Sequence, residues 1–262
     1  MGEPGKLAGK RIAVLAADGF EQAELETPVA ALKAAGAQVE VIALRGGRIR
    51  GMHVHQSGEL LRVDKAVGDA RVADYDGLLL PGGFIAPDSL RQSAAARDFV
   101  RQVDAAGKPV ATLSQAPLLL ASIGLLQGRT LSAWPGIRDD LVNAGATWLN
   151  QDVVRDGRWL SGRGPQDVAA FTATLVAFFA GEDAAPAQSA GPSDPPQQEP
   201  CETPGQPLRC LSAPSVGAML SLALLGVGVV AANMGRRRRQ QGDADGEADT
   251  GASAQAASSE PP

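Results

Sequence analysis

Cysteine is scarce and lies away from any folded segment. The chain has two, Cys201 and Cys210, both in a Pro-rich stretch beyond residue 181. The first 181 residues therefore hold no thiol, no disulfide and no CxxC redox or metal motif. Histidine is as rare. His53 and His55 sit two apart in a short strand-like run, a spacing that predicts one shared face. A zinc site needs more ligands than that, so edge or surface histidines are expected, with no metal and no cofactor. Positive charge is also in short supply: the net charge is -5, and the one strongly basic run, residues 236–239, lies outside the folded part. A nucleic-acid partner is thereby disfavoured. The N-terminal apolar run is short and soon interrupted by acids, so no secretory leader is expected.

What the chain does have is an alternation of apolar runs and amphipathic stretches, confined to residues 10–181. Residues 11–17 (RIAVLAA) end in Asp18-Gly19, the pattern of a buried parallel strand and its turn. Residues 21–34 carry acids in their first turn and stop at Gly36, which predicts a helix, and residues 38–44 predict the next strand. MHVHQ and ELLRV predict a hairpin or an edge pairing. Residues 77–80 run into Pro81-Gly82-Gly83, residues 88–106 read as one helix, and residues 109–113 as another buried strand. Short elements follow, closed by a helix over residues 165–179. This order predicts an α/β fold, a three-layer sandwich around a mostly parallel sheet of flavodoxin-like type, with ligands at the carboxyl ends of the strands.

The remaining segments are read separately. Residues 1–9 form an extension, and residues 182–212 a Pro-rich disordered linker. Residues 213–235 lack any charge and are followed by Arg236 to Arg239, which predicts one transmembrane helix with a basic flank. Residues 236–262 form a basic, then acidic, tail. These features predict a single-pass membrane protein. The four arginines favour the cytoplasmic side, which would put the globular domain outside, whereas the lack of an expected export signal favours a cytoplasmic domain, the placement expected here.

Three segments should meet at one sheet edge: ADGFEQAELE after the first strand, LLLPGGF after a middle strand, and VATLSQAPLLLASIGLL at a strand-turn-helix. A polar side chain at such a turn is held up into the cleft while nearby backbone N–H groups face a developing oxyanion. Ser114 is the candidate nucleophile on that argument. The bland alternatives are that Ser114 satisfies turn backbone, that Gln115 bonds across a subunit interface, and that Trp134, Trp148 and Trp159 serve packing or subunit contacts.

With LPGG at residues 80–83, the elbow region 110–126 and the run WPGIRDDLVNAGATWLNQDVVRDGRWLSGRGPQD at 134–167, the chain resembles the ThiJ/PfpI family. That family lies within the class I glutamine amidotransferase-like superfamily, and the resemblance is more particularly to PfpI-type intracellular peptidases and deglycases. The resemblance spans about 170 residues and implies a Cys-His-Gly-Pro elbow, where this chain reads Ser114-Gln115-Ala116-Pro117. It implies that Ser114 stands at the nucleophile's position and Gln115 at the histidine's. Glu24 stands at the position of the acid that hydrogen-bonds the thiol. Gly82, Gly83 and Gln115 fall at the oxyanion or ligand-binding site. Homo-oligomers are also implied.

A thiol ionises readily, whereas a serine hydroxyl needs a positioned base. The expectation is a membrane-anchored, catalytically impaired relative that binds a small carbonyl or peptide ligand. The alternative is an active hydrolase or deglycase-like enzyme using Ser114.

Overall fold

The computed structural model describes residues 5–182. The expected transmembrane segment 213–235, the tail, and all of the expected linker except its first residue lie outside them. Among the described residues no helix is long and apolar enough to cross a membrane.

The chain opens with β1 (Arg11–Leu15) and a short β2 (Phe20–Glu21), then α1 (Gln22–Ala34) and β3 (Gln38–Ala43). A hairpin follows, β4 (Gly47–His53) and β5 (Gln56–Val63), and then β6 (Lys65–Ala66) and β7 (Gly77–Leu80). Next come α2 (Ala86–Gln92), α3 (Ala94–Ala105), β8 (Val110–Leu113) and α4 (Pro117–Ser122). The last part holds β9 (Thr130–Leu131), α5 (Arg138–Asn143), β10 (Thr147–Trp148), β11 (Val153–Asp156), β12 (Trp159–Gly162) and α6 (Val168–Ala180).

Seven strands form one sheet in the order β11-β12-β8-β7-β1-β3-β6, parallel except for β11. Every residue of β7, β8 and β12 is buried, which requires cover on both faces and explains their largely apolar composition, broken only by the small polar residues Thr112 and Ser161. The helices fall into two groups, α1 against α6 and α2 against α3 and α4, as the three-layer reading expects. Strand order reverses around β1, so the crevice at the carboxyl ends of β1, β7 and β8 is where such a sheet receives ligands.

Two expectations change. The helix read as continuous over residues 88–106 is broken at Ser93, whose backbone is extended and whose Oγ accepts from Ala96 N–H at 3.3 Å. Ser93 is thus an N-cap for α3, a signal the sequence carried. The two histidines do not share a strand face. His53 ends β4, while Val54 and His55 make the hairpin turn, with Val54 at φ 55°. A left-handed residue turns the chain and breaks the alternation on which the shared face rested.

Candidate active site

Ser114 follows the last residue of β8 directly. Its φ of 55° is left-handed, in a residue that has a Cβ, a conformation costing on the order of 1–3 kcal/mol that persists only where the surroundings fix it. Three backbone hydrogen bonds do so: Ser114 N–H to Gly162 O at 3.0 Å, Trp134 N–H to Ser114 O at 3.1 Å, and Ala116 N–H to Leu113 O at 2.9 Å. Pro117 at the start of α4 needs no hydrogen-bond partner for its nitrogen and presets the helical φ. The strand, sharp turn and helix that the sequence predicted are present, and they present a nearly fully buried side chain.

The glycines after β7 provide the facing wall. A Cβ on Gly82 would lie 2.6 Å from both Glu24 Oε2 and Ser114 Cβ. Gly83 has φ 112°, and a Cβ there would lie 2.7 Å from Glu21 N. Only glycine lets this loop approach the elbow and α1 so closely.

Glu24 reaches the site from the first turn of α1 and is 0% exposed. Pro28 lies inside that helix and has no N–H to give the Glu24 carbonyl four residues back. Gly82 N–H donates to Glu24 Oε2 at 2.8 Å, while Oε1 has no hydrogen-bond partner among the described residues. Burial pushes the carboxyl up to about 8. The Gly82 amide opposes this, the Glu21 charge adds to it, and the Ser114 hydroxyl opposes it weakly.

The Ser114 hydroxyl itself donates to Gln115 Oε1 at 2.7 Å, and Gly83 N–H donates to the same oxygen at 3.3 Å. Gln115 therefore bonds within the site, and Ser114 is satisfied by a side chain rather than by turn backbone. The sequence-predicted residues Ser114, Gln115, Gly83, Gly82 and Glu24 are brought together here.

Three further residues were not anticipated. Glu21, Val54 and Trp134 line the small pocket with Gly83, Phe84, Ser114, Gln115 and Pro165. Glu21 Oε2 accepts from Val54 N–H at 2.8 Å, which ties the strained hairpin tip to the N-terminus of α1. His55 then stacks on Phe84 at 6.1 Å, and Phe84 meets Trp134 edge-on at 5.9 Å. Trp134, expected to serve packing or subunit contacts, thus also lines the pocket. Trp148, fully buried with Nε1–H donating to Ala133 O, and Trp159 do serve packing. An acid at the first position of the predicted helix was the one local signal for Glu21. The hairpin tip and Trp134 arrive through tertiary contacts that spacing does not encode.

Among the described residues no cluster of ligands could hold a metal ion. The arrangement offers an elbow hydroxyl, backbone N–H groups and a buried carboxyl, which is the equipment of carbonyl or acyl chemistry.

Comparison with known proteins agrees with this construction. Residues 10–178 match the DJ-1/PfpI family. A deglycase of Pyrococcus abyssi is 39% identical over 166 residues, covering 63% of this chain and 97% of that protein. The deglycase PfpI of Pyrococcus furiosus is 38% identical over 166 residues, with the same coverage. A solved DJ-1 superfamily protein from Salmonella typhimurium superposes with a TM-score of 0.60 at 30% identity, covering 67% of this chain and 92% of that one. With a site built at the carboxyl ends of its strands and a family match spanning the whole sheet, this chain belongs to the DJ-1/PfpI family.

Proposed function

We propose that this domain is a catalytically impaired DJ-1/PfpI relative that binds a small carbonyl or peptide ligand at the elbow, with Ser114 standing where its relatives carry a cysteine nucleophile. The observation that carries this reading is the direction of the Ser114 hydroxyl, which donates to an amide oxygen, Gln115 Oε1. An amide oxygen cannot take that proton at neutral pH. Among the described residues no histidine hydrogen-bonds the hydroxyl, and the carboxyl that does interact with it is Glu24. Glu24, with its carboxyl at about 8, is roughly ten to one protonated at pH 7. A neutral acid is not a general base, and serine attack needs one.

In this reading Ser114, Glu24 and Gln115 keep the family's catalytic positions without its proton inventory, and Gly82, Gly83 and Gln115 contact ligand. The exposed apolar groups at the mouth, Val54 (41%), Phe84 (48%) and Ile85 (50%), support a homo-oligomeric contact near the site. The uncharged segment 213–235 ahead of four arginines supports a membrane tether. Vesicle flotation of the full chain, lost on deleting 213–235, checks that tether.

The alternative, a hydrolase or deglycase working through Ser114, predicts turnover of methylglyoxal adducts or of a peptide that Ser114→Ala abolishes. We expect no such turnover between pH 6 and 7.5 from the full chain. Ser114→Cys with Gln115→His should gain iodoacetamide labelling at position 114, mapped by mass spectrometry against Cys201 and Cys210. Ser114-dependent turnover in the parent would overturn the reading.

A further inference from the structure

The oxygen-binding position of the pocket is filled by the chain's own side chain. Gln115 Oε1 accepts from Ser114 Oγ at 2.7 Å and from Gly83 N–H at 3.3 Å. A backbone N–H can only donate, so the atom it faces must be the amide oxygen and not the amide nitrogen. One hydroxyl and one loop N–H therefore converge on a single sp² oxygen from two different strand ends. A substrate carbonyl at an elbow would receive the same two donors. The main-chain N–H of Gln115, next along the chain from the elbow residue, has no acceptor among the described residues, so a third donor stands by. Around these polar groups the lining is apolar and aromatic: Val54, Phe84, Trp134 and Pro165.

We infer that Gln115 is an internal plug whose carboxamide occupies the site for a ligand's carbonyl oxygen, and that the ligand class is a neutral carboxamide or similar carbonyl compound carrying a flat apolar substituent. The carbonyl replaces Gln115 Oε1 between Gly83 N–H and the Ser114 hydroxyl. The flat group lies against Phe84 and Trp134. No covalent step is involved. The inference rests on the proposed binding role of this pocket, and it holds whether or not Ser114 turns over a substrate.

The test uses the full chain with benzamide as probe and benzyl alcohol, a ring without the carbonyl, as control. Binding is read by calorimetry or by ligand-observed NMR. Gln115→Ala removes the plug, and Gln115→Met removes the carbonyl while keeping most of the side-chain volume. Both should bind benzamide on the order of tenfold more tightly than the parent, with no matching gain for benzyl alcohol. Adding Ser114→Ala to Gln115→Ala should take back much of the gain, because one of the two donors is then gone. Equal benzamide affinity in the parent and in whichever Gln115 variant is folded, judged by urea midpoint, would overturn the plug. An equal gain for benzyl alcohol would do the same, since it would reduce the effect to empty volume. Ser114-dependent turnover in the parent would defeat the impaired reading and leave this comparison intact. Equal affinities would defeat the plug and leave the impaired reading intact.

Discussion

At the amino ends of the parallel strands, Lys10, Asp76, Arg155 and Arg158 border an open cleft larger than the pocket around Ser114 at the carboxyl ends. Its charges are partly exposed and each has a partner. Arg158 meets Asp104 at 2.7 Å, Lys10 meets Asp76 at 3.8 Å, and Arg155 donates to the Glu182 carbonyl at 2.7 Å while lying over the Phe178 ring. The carboxyl end inverts this. It is small, buried and short of charge, and its one deeply buried acid, Glu24, is fully enclosed with an unpartnered oxygen. Size therefore does not mark the chemical end of this sheet. What marks it is polar groups held in costly states: a left-handed serine, a neutralised carboxyl, and glycines pressed against both.

Substitutions at matched positions at the two ends should separate these regimes. The largest effect is expected from Gly83→Ala, which would push a Cβ into the Gly19 and Glu21 backbone. Overpacking against main chain together with the strained φ should cost about 3 kcal/mol or more. Gly157→Ala, beside the amino-end cleft, meets nothing within 4 Å and carries only the strain of its φ of 58°, so about 1 kcal/mol is expected. Urea unfolding midpoints of the two variants test the contrast, and equal losses would erase it.

The next effect depends on pH. Glu24 has its ordinary value of 4.5 raised to about 8 in the folded protein, so the native state holds a proton that the unfolded chain releases. Its contribution is complete below pH 4.5 and is lost as pH rises through about 8, with a slope of up to about 1.4 kcal/mol per pH unit between. Glu24→Gln should remove that slope while its amide oxygen still accepts from Gly82 N–H. Arg158→Gln, acting on a half-buried pair, should cost about 1 kcal/mol and leave the slope in place. Thermal unfolding across pH 5 to 8.5 reads both, and a parent with no slope would break the account of Glu24.

Much of this contrast was legible in the chain. The apolar runs that became β1, β7 and β8 could only be strands buried on both faces. Gly82-Gly83 and the sequence from Thr112 to Pro117 named the edge where the site would form. Ser114 came from the same reading, and Glu24 from the family resemblance. What escaped it depends on rotamers and on distant segments meeting. Nothing in Ser114-Gln115 says that the Gln115 oxygen turns back to Gly83. Nothing in MHVHQ says that Val54 adopts a left-handed backbone, delivers its N–H to Glu21, and leaves His55 stacked on Phe84. The split of the 88–106 helix is different in kind, because Ser93 followed by three alanines was a visible cap.

The elbow has one more consequence. Its unusual backbone is fastened through Gly162, Trp134 and Leu113 by main-chain groups alone, so the fastening is blind to which side chain residue 114 carries. The turn behaves as a socket that accepts hydroxyl, thiol or methyl with similar mechanical ease. In such a design reactivity is a detachable part, because the recess keeps its shape whichever of these groups stands at residue 114.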